Sequence, residues 1–336
     1  MSARVRPATQ ADLEPLYEMA KLTGGGFTNL PADRDTLAER LAASDRAFAR
    51  TEDTPGDDVY ILMLDDLEAG RIAGTAQMIA RTGHSGSFYS YRRTALSQHS
   101  RPLGRSFRTE MLALVNDLEG CSEVGGLFLH PRYRAGGLGL LLARSRYLFI
   151  RRHRARFADK VIAELRGVID EGGGSPFWDG VAGRFLGMGF READEYNAIH
   201  GHQHLQDMMP RHPVYLAMLP ETARAVAGVP HGTGRAAMRM LEKEGFADEG
   251  YLDIFDGGPT MSVAVDRLRT VAEAREAVLG AGTGGDERLI VAAGRLAGFR
   301  ATFANGAVQG DRLLLEDGAA ERLDAGAGDT LLCVAR

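Results

Sequence analysis

Between Val124 and Ile150 the chain passes from an apolar stretch, through Arg134-Ala135-Gly136-Gly137-Leu138-Gly139, into a segment where Leu138, Leu141, Leu142 and Ser145 recur at helical spacing. That order predicts a strand, an anion-holding loop and a helix. Glycines let backbone approach a ligand closely, and a helix start offers unpaired amides to negative charge. The chemistry expected at this turn is the holding of a pyrophosphate. Two better-known phosphate turns fit less well. A dinucleotide turn needs Gly-x-Gly-x-x-Gly with an acidic residue after the next strand, and a P-loop needs Gly-Lys-Ser/Thr, whereas Leu140 follows Gly139. A plain glycine-rich connection is the bland alternative.

Other chemistry-bearing residues say less. His200-Gly201-His202-Gln203-His204 would put three imidazoles on one face if it were a strand, but no carboxylate accompanies it; it reads as a surface turn, and no metal site is expected. Cys121 and Cys333 are the only cysteines, too far apart for a metal or redox motif, and read as core. At 336 residues the chain is long for one domain, and a division into 1–215 and 216–336 is expected. Its net charge of −5, without a basic run, speaks against a nucleic-acid surface. Neither a signal-peptide core nor a membrane-length apolar run is seen, so a cytoplasmic protein is expected.

The elements that must position the loop follow from pattern. Val5 to Ala8 reads as a short strand, and Thr9 with Asp12 as a capping box opening a helix that stops at Gly24-Gly25-Gly26. A second helix is expected from Arg34 to about Ala43. Asp58 to Leu64 and Ile72 to Ile79 read as a hairpin, and Lys160 to Gly167 as a strand following the loop and its helix. Pro176 to Phe190 reads as one helix ending in Gly187-Met188-Gly189-Phe190. Leu241-Glu242-Lys243-Glu244-Gly245-Phe246 repeats that ending, which leaves two related halves open. The apolar runs Val263 to Val265, Leu289 to Val291 and Leu331 to Val334 predict a small C-terminal β appendage.

Arg134, Gly137 and Gly139 resemble the Arg/Gln-x-x-Gly-x-Gly/Ala motif of the GNAT acyltransferases. Longer strings resemble one family of that clan, the arginine N-succinyltransferases. They include Thr23 to Pro31, Tyr89-Ser90-Tyr91-Arg92, Ser122-Glu123, Ala163 to Glu171, Ser175-Pro176-Phe177-Trp178, Leu241 to Phe246, and Asp253 to Thr260. The resemblance implies an α/β fold, a GNAT-type mixed central sheet flanked by helices. It also implies transfer of the succinyl group of succinyl-CoA to the α-amino group of L-arginine, the first step of an arginine degradation route. Succinyl-CoA is then a co-substrate, no cofactor is needed, and a homodimer or larger assembly is expected. Ornithine or another amine as acceptor, or a non-catalytic paralogous subunit, are the alternatives.

The same resemblance places Leu127 at the acyl-CoA strand and His231 at the proton donor, although Gly232 stands where the family commonly has proline. Backbone amides from Leu127 to Leu129 would polarise the thioester carbonyl. Succinyl and arginine each carry a carboxylate, for which Arg92 and Arg166 are candidates. A guanidinium calls for a carboxylate, and Glu123, Glu164, Asp170, Asp253 and Asp256 are offered; Glu164, in an apolar strand, and Asp256 are the candidates, although Asp256 before Gly257-Gly258 also reads as plain turn chemistry. Direct attack in a ternary complex is expected, since no nucleophilic Cys or Ser motif stands in the chain.

Overall fold

The computed structural model describes residues 2–23, 30–84, 86–200 and 203–336, with the side chains of 198–200 left aside. The glycine stop at 24–26, much of the string from Thr23 to Pro31, and the centre of the histidine cluster lie outside the described residues. In chain order the strands are β1 (Ala3–Pro7), β2 (Val59–Asp66), β3 (Arg71–Ile79), β4 (Ser90–Ser100), β5 (Arg105–Val115), β6 (Ser122–Leu129), β7 (Lys160–Glu164), β8 (Val214–Tyr215), β9 (Ala247–Leu252), β10 (Pro259–Ala264), β11 (Arg275–Thr283), β12 (Glu287–Ala293), β13 (Arg300–Gln309), β14 (Arg312–Leu315) and β15 (Thr330–Ala335). The helices α1 (Leu13–Lys21), α2 (Arg34–Ala49) and α3 (Leu138–Arg152) complete the frame around the loop. The α/β class is as expected.

The residues gather into two compact units, each assembled from separated stretches of chain. The first comprises Met1–Arg81, Cys121–Val161 and Ala264–Arg336. Its strands run β12-β15-β11-β14-β13-β1-β2-β3-β6 as hydrogen-bonded neighbours. The hairpin β2–β3 is antiparallel, as its alternating and apolar residues predict, and β3 continues antiparallel onto β6. Leu16, Leu37, Leu41, Ile61, Met63 and Phe128 form one apolar cluster there. The capping box is present, with Asp12 Oδ2 accepting the Thr9 amide at 2.7 Å.

The C-terminal β module also belongs to this unit. Because β12 pairs with β13 as well as with β15, the five strands β11 to β15 close on themselves. Closure removes free edges, and the interior is filled by Leu279, Leu289, Val291, Leu313, Leu331 and Cys333. The module is joined to the rest of the sheet through Val5 opposite Ala301.

The second unit comprises Thr82–Gly120 and Ile162–Val263, with strands ordered β7-β10-β9-β4-β5-β8. Tyr91, Phe177, Trp178, Leu252 and Ile254 form its core. The helix expected over 176–190 is broken. Pro176–Gly180 and Ala182–Leu186 are separate short helices, interrupted at Val181 (φ −116°, ψ −97°), and Phe190 opens the helix Phe190–His200 instead of ending one. Trp178 accounts for the tight path, since its indole donates to the Met188 carbonyl at 2.8 Å. Among the described residues no helix is long and apolar enough to cross a membrane.

Candidate active site

The first unit carries the loop. Along β6, Gln77 lies opposite Gly125 but Thr75 lies opposite Phe128, so Gly126 and Leu127 together face the single residue Ala76. Two residues against one is a β-bulge, which leaves the ladder locally disrupted and turns the bulged strand. Gly126 adopts φ +55°, and a Cβ there would approach the Gln77 side chain to 2.9 Å. Leu127 and Leu129 are half-buried, while Phe128 between them faces the core.

After β6, Gly136 (φ +70°) and Gly137 (φ +82°) turn the chain into α3, with Gly137 as its N-cap. No side chain caps this helix start and no acidic residue stands in its first turn, so its amides remain available to an anion. A Cβ at Gly136 would meet nothing within 4 Å, and one at Gly139 only Leu129 at 3.7 Å, which is open ground for a ligand. Leu138, Leu141, Leu142 and Ser145 are all buried, as their spacing predicts. Arg134 is exposed at the loop's edge.

Two arginines that the sequence reading passed over brace this region. From α3, Arg146 donates to the Gly125 carbonyl at 3.3 Å, next to the bulge. Arg336 donates to the Gly136 carbonyl and lies over the Phe303 ring, 3.9 Å from its centre. The signal for Arg146 was present, since an arginine inside the apolar run Leu140 to Ile150 must find partners. Arg336 is 200 residues from its partner, and nothing local announces it.

In the second unit, Arg166, His231 and Asp256 come together. The His231 amide donates to the Arg166 carbonyl at 2.7 Å, and Gly167 forms a single β-bridge with Pro230. Asp256 is buried; its two carboxylate oxygens accept the amides of Gly167 (2.7 Å) and Gly258 (2.8 Å). Burial pushes this carboxyl up, helped by neighbouring Asp253 and opposed by the two amides. Gly258 has to be glycine, because a Cβ would run into the Leu165 carbonyl.

The half-buried Arg166 guanidinium is held down by burial, with Asp256 and Asp194 acting against that shift. Its Nε meets no hydrogen-bond partner among the described residues. His231 caps a short turn, and its Nδ1 lies 2.8 Å from Thr233 Oγ1 and 3.3 Å from the Thr233 amide. Burial, and then Arg166, shift the imidazole below its ordinary 6.5. That shift favours the neutral ring. Glu164 is half-buried on β7, with the Thr260 hydroxyl 3.5 Å from its Oε1. Arg92 is engaged elsewhere: it pairs with Asp117 at 3.0 Å, and Tyr251 donates to the same carboxylate oxygen at 3.0 Å.

Comparison with known proteins shows the family. The chain matches the family described as arginine N-succinyltransferase beta subunit over residues 3–270, and that family's C-terminal domain over residues 267–335. It is 38% identical to the arginine N-succinyltransferase subunit beta of Pseudomonas aeruginosa, covering 98% of this chain and 97% of that one. It is likewise 38% identical to the arginine N-succinyltransferase of Salmonella schwarzengrund, over 97% of this chain and 95% of the relative. Among solved structures, the arginine/ornithine succinyltransferase subunit AI from Pseudomonas aeruginosa superposes with a TM-score of 0.89 at 31% identity, covering 99% of this chain and 98% of that one. The chain is an acyltransferase that belongs to the arginine N-succinyltransferase beta subunit family.

Proposed function

We propose that the chain transfers the succinyl group of succinyl-CoA to the α-amino group of L-arginine, by direct attack in a ternary complex. The observation that carries the acyl-CoA part is the Gly126–Leu127 bulge followed directly by a helix start without a cap. Amides at a bulge stand out of the ladder, as an oxyanion requires. The amides at Leu138 and Gly139, with Gly137 behind them and Arg134 beside them, suit a pyrophosphate.

The second unit supplies the acceptor's needs. The arginine nitrogen attacks the thioester carbonyl carbon, the C–S bond breaks, and the nitrogen's proton must reach the leaving sulfur. His231 is assigned that relay. Either tautomer of its neutral ring finds a partner at Nδ1, the Thr233 hydroxyl as acceptor or the Thr233 amide as donor. Nε2 is thereby left to take a proton in one form and give it in the other. Arg166 is assigned to a substrate carboxylate because its Nε has no hydrogen-bond partner among the described residues. Glu164 is assigned to the substrate guanidinium. Asp256 ties the Gly167 amide to that of Gly258, one on each carboxylate oxygen, and so positions the backbone next to Arg166, and Arg92 contributes positive charge from the Asp117 pair. The division of labour expected from the sequence, donor binding in 1–215 and the histidine in 216–336, is part of the proposal.

The name of the Pseudomonas relative includes ornithine, which makes ornithine the second acceptor to test. Free thiol release from succinyl-CoA should be followed with arginine, ornithine and lysine separately, and with acetyl-CoA as control donor. Release with succinyl-CoA and arginine is expected. Equal release with acetyl-CoA would remove the succinyl assignment, and trapping of an acyl group on Cys121 would remove direct attack.

A further inference from the structure

We infer that the closed C-terminal module reads the 3′-phosphate of the acyl-CoA, through Arg288 and Arg336. The inference rests on the acyl-CoA reading above and gives a binding surface to strands which that reading leaves without a role. Within the first unit, a cleft of about 610 Å³ is lined both by Gly136 and Leu138 of the loop and by Arg288, Phe303, Asn305 and Arg336 of the module. That volume suits a nucleotide-sized ligand. Loop and module already touch there: Arg336 donates to the Gly136 carbonyl, and a Cβ at Gly137 would run into its guanidinium.

Register explains why these side chains gather. In the antiparallel pair β12–β13, Arg288 lies opposite Asn305 and Ile290 opposite Phe303. Leu289 and Ala304 turn into the module's core, so alternation leaves Arg288, Phe303 and Asn305 on the outer face. The Arg336 amide donates to the Arg288 carbonyl at 2.8 Å, which sets Arg336 beside them. The charges in the cleft are unequally engaged. Glu316 accepts from Arg322 and from Asn305, each at 2.8 Å, and Glu68 accepts the Ser2 amide at 2.8 Å. Arg288 makes no side-chain hydrogen bond or ion pair among the described residues, and Arg336 has N–H groups beyond the one on Gly136. Chemistry selects the anion. In coenzyme A the 3′-phosphate is on the ribose whose 5′ carbon bears the pyrophosphate, so its partners must stand about one sugar ring from the pyrophosphate amides. A guanidinium can take a phosphate with two parallel hydrogen bonds.

Calorimetric titration of the full chain with coenzyme A and with 3′-dephospho-CoA tests the inference without turnover. The parent should bind coenzyme A about thirtyfold more tightly than the dephospho form. Arg288→Ala should weaken coenzyme A alone and shrink that ratio to about threefold. Arg288→Glu should abolish or invert it. Arg312→Glu reverses an exposed charge of the same module outside the cleft, and should leave the parent's ratio in place. Equal affinity of the parent for the two ligands, or an undiminished ratio in Arg288→Ala, overturns the inference while the acyl-CoA reading stands. A ratio moved as far by Arg312→Glu as by Arg288→Glu overturns it too, since net charge would then suffice. Failure of both ligands to bind the parent removes the acyl-CoA reading and the inference with it.

Discussion

His153 and His231 are the same side chain in two different trades. His153 ends α3 in the first unit, 2% exposed, with Nδ1 against the Phe149 carbonyl at 2.9 Å and Nε2 accepting the Leu296 amide at 3.1 Å. Both nitrogens are committed, and burial holds its pKa down to about 4. His231 commits one nitrogen and keeps the other. The contrast extends to the regions around them. The loop proposed for the donor presents backbone, with glycines at positive φ and amides without a side-chain cap. The residues proposed for the acceptor present side chains, and Asp256 among them is held by two backbone amides. Among the described residues, His231 and Arg166 each keep a nitrogen without a protein partner, which His153 does not.

The largest effect should come from removing the spare nitrogen. His231→Ala is expected to lower kcat by about 10²–10⁴-fold while leaving succinyl-CoA affinity intact in a calorimetric titration. Unchanged turnover would break the comparison outright. In the parent enzyme, the acid limb of kcat/KM should lie below pH 6.5, because the group that must be neutral is shifted downward; a limb above 6.5 contradicts that placement.

His153 should instead show itself in stability. Its folded pKa lies below its unfolded value of 6.5, so its contribution is full above pH 6.5 and is lost as pH falls towards 4. The unfolded chain takes up a proton that the native state refuses. Across that window the loss is about 3 kcal/mol as an upper bound, measurable by denaturant titration at successive pH values. A His153→Gln variant should lose that part of the slope.

Gly126→Ala tests the backbone side of the contrast. A Cβ at φ +55° and 2.9 Å from Gln77 should cost about 1–2 kcal/mol of stability and should lower acyl transfer more than it lowers CoA binding. The smallest effect is expected for Arg134→Ala. If amides hold the pyrophosphate, KM for succinyl-CoA rises only a few-fold; a hundredfold rise would make the donor site a side-chain site after all.

What could be read in the sequence was what is local. The loop, α3, the β2–β3 hairpin and the capping box follow from spacing within a dozen residues. The bulge escaped because Gly125-Gly126 in an apolar run reads as plain strand, and which glycine turns to positive φ depends on β3 opposite. The helix break at Val181 escaped because Trp178 fixes it through a bond to Met188. The closed module escaped in part: its strands were visible, but pairings such as Glu287 with Gly306 bring together residues that no local pattern links. In the candidate site, His231 came from family likeness, and its neighbours Arg166 and Asp256 from the charges a substrate would need. Their meeting rests on long-range contacts at Arg166 and Gly167, which bond to His231 and Asp256 beside the Gly167–Pro230 bridge.

The brace from Arg336 to the Gly136 carbonyl also has a meaning in time. A ribosome makes the loop 200 residues before the arginine that supports it. At roughly 5–20 residues per second that interval is on the order of 10–40 s. Through it the nascent chain already holds the loop's glycines without Arg336 behind them. The loop is therefore made well before the outer support that Arg336 gives it.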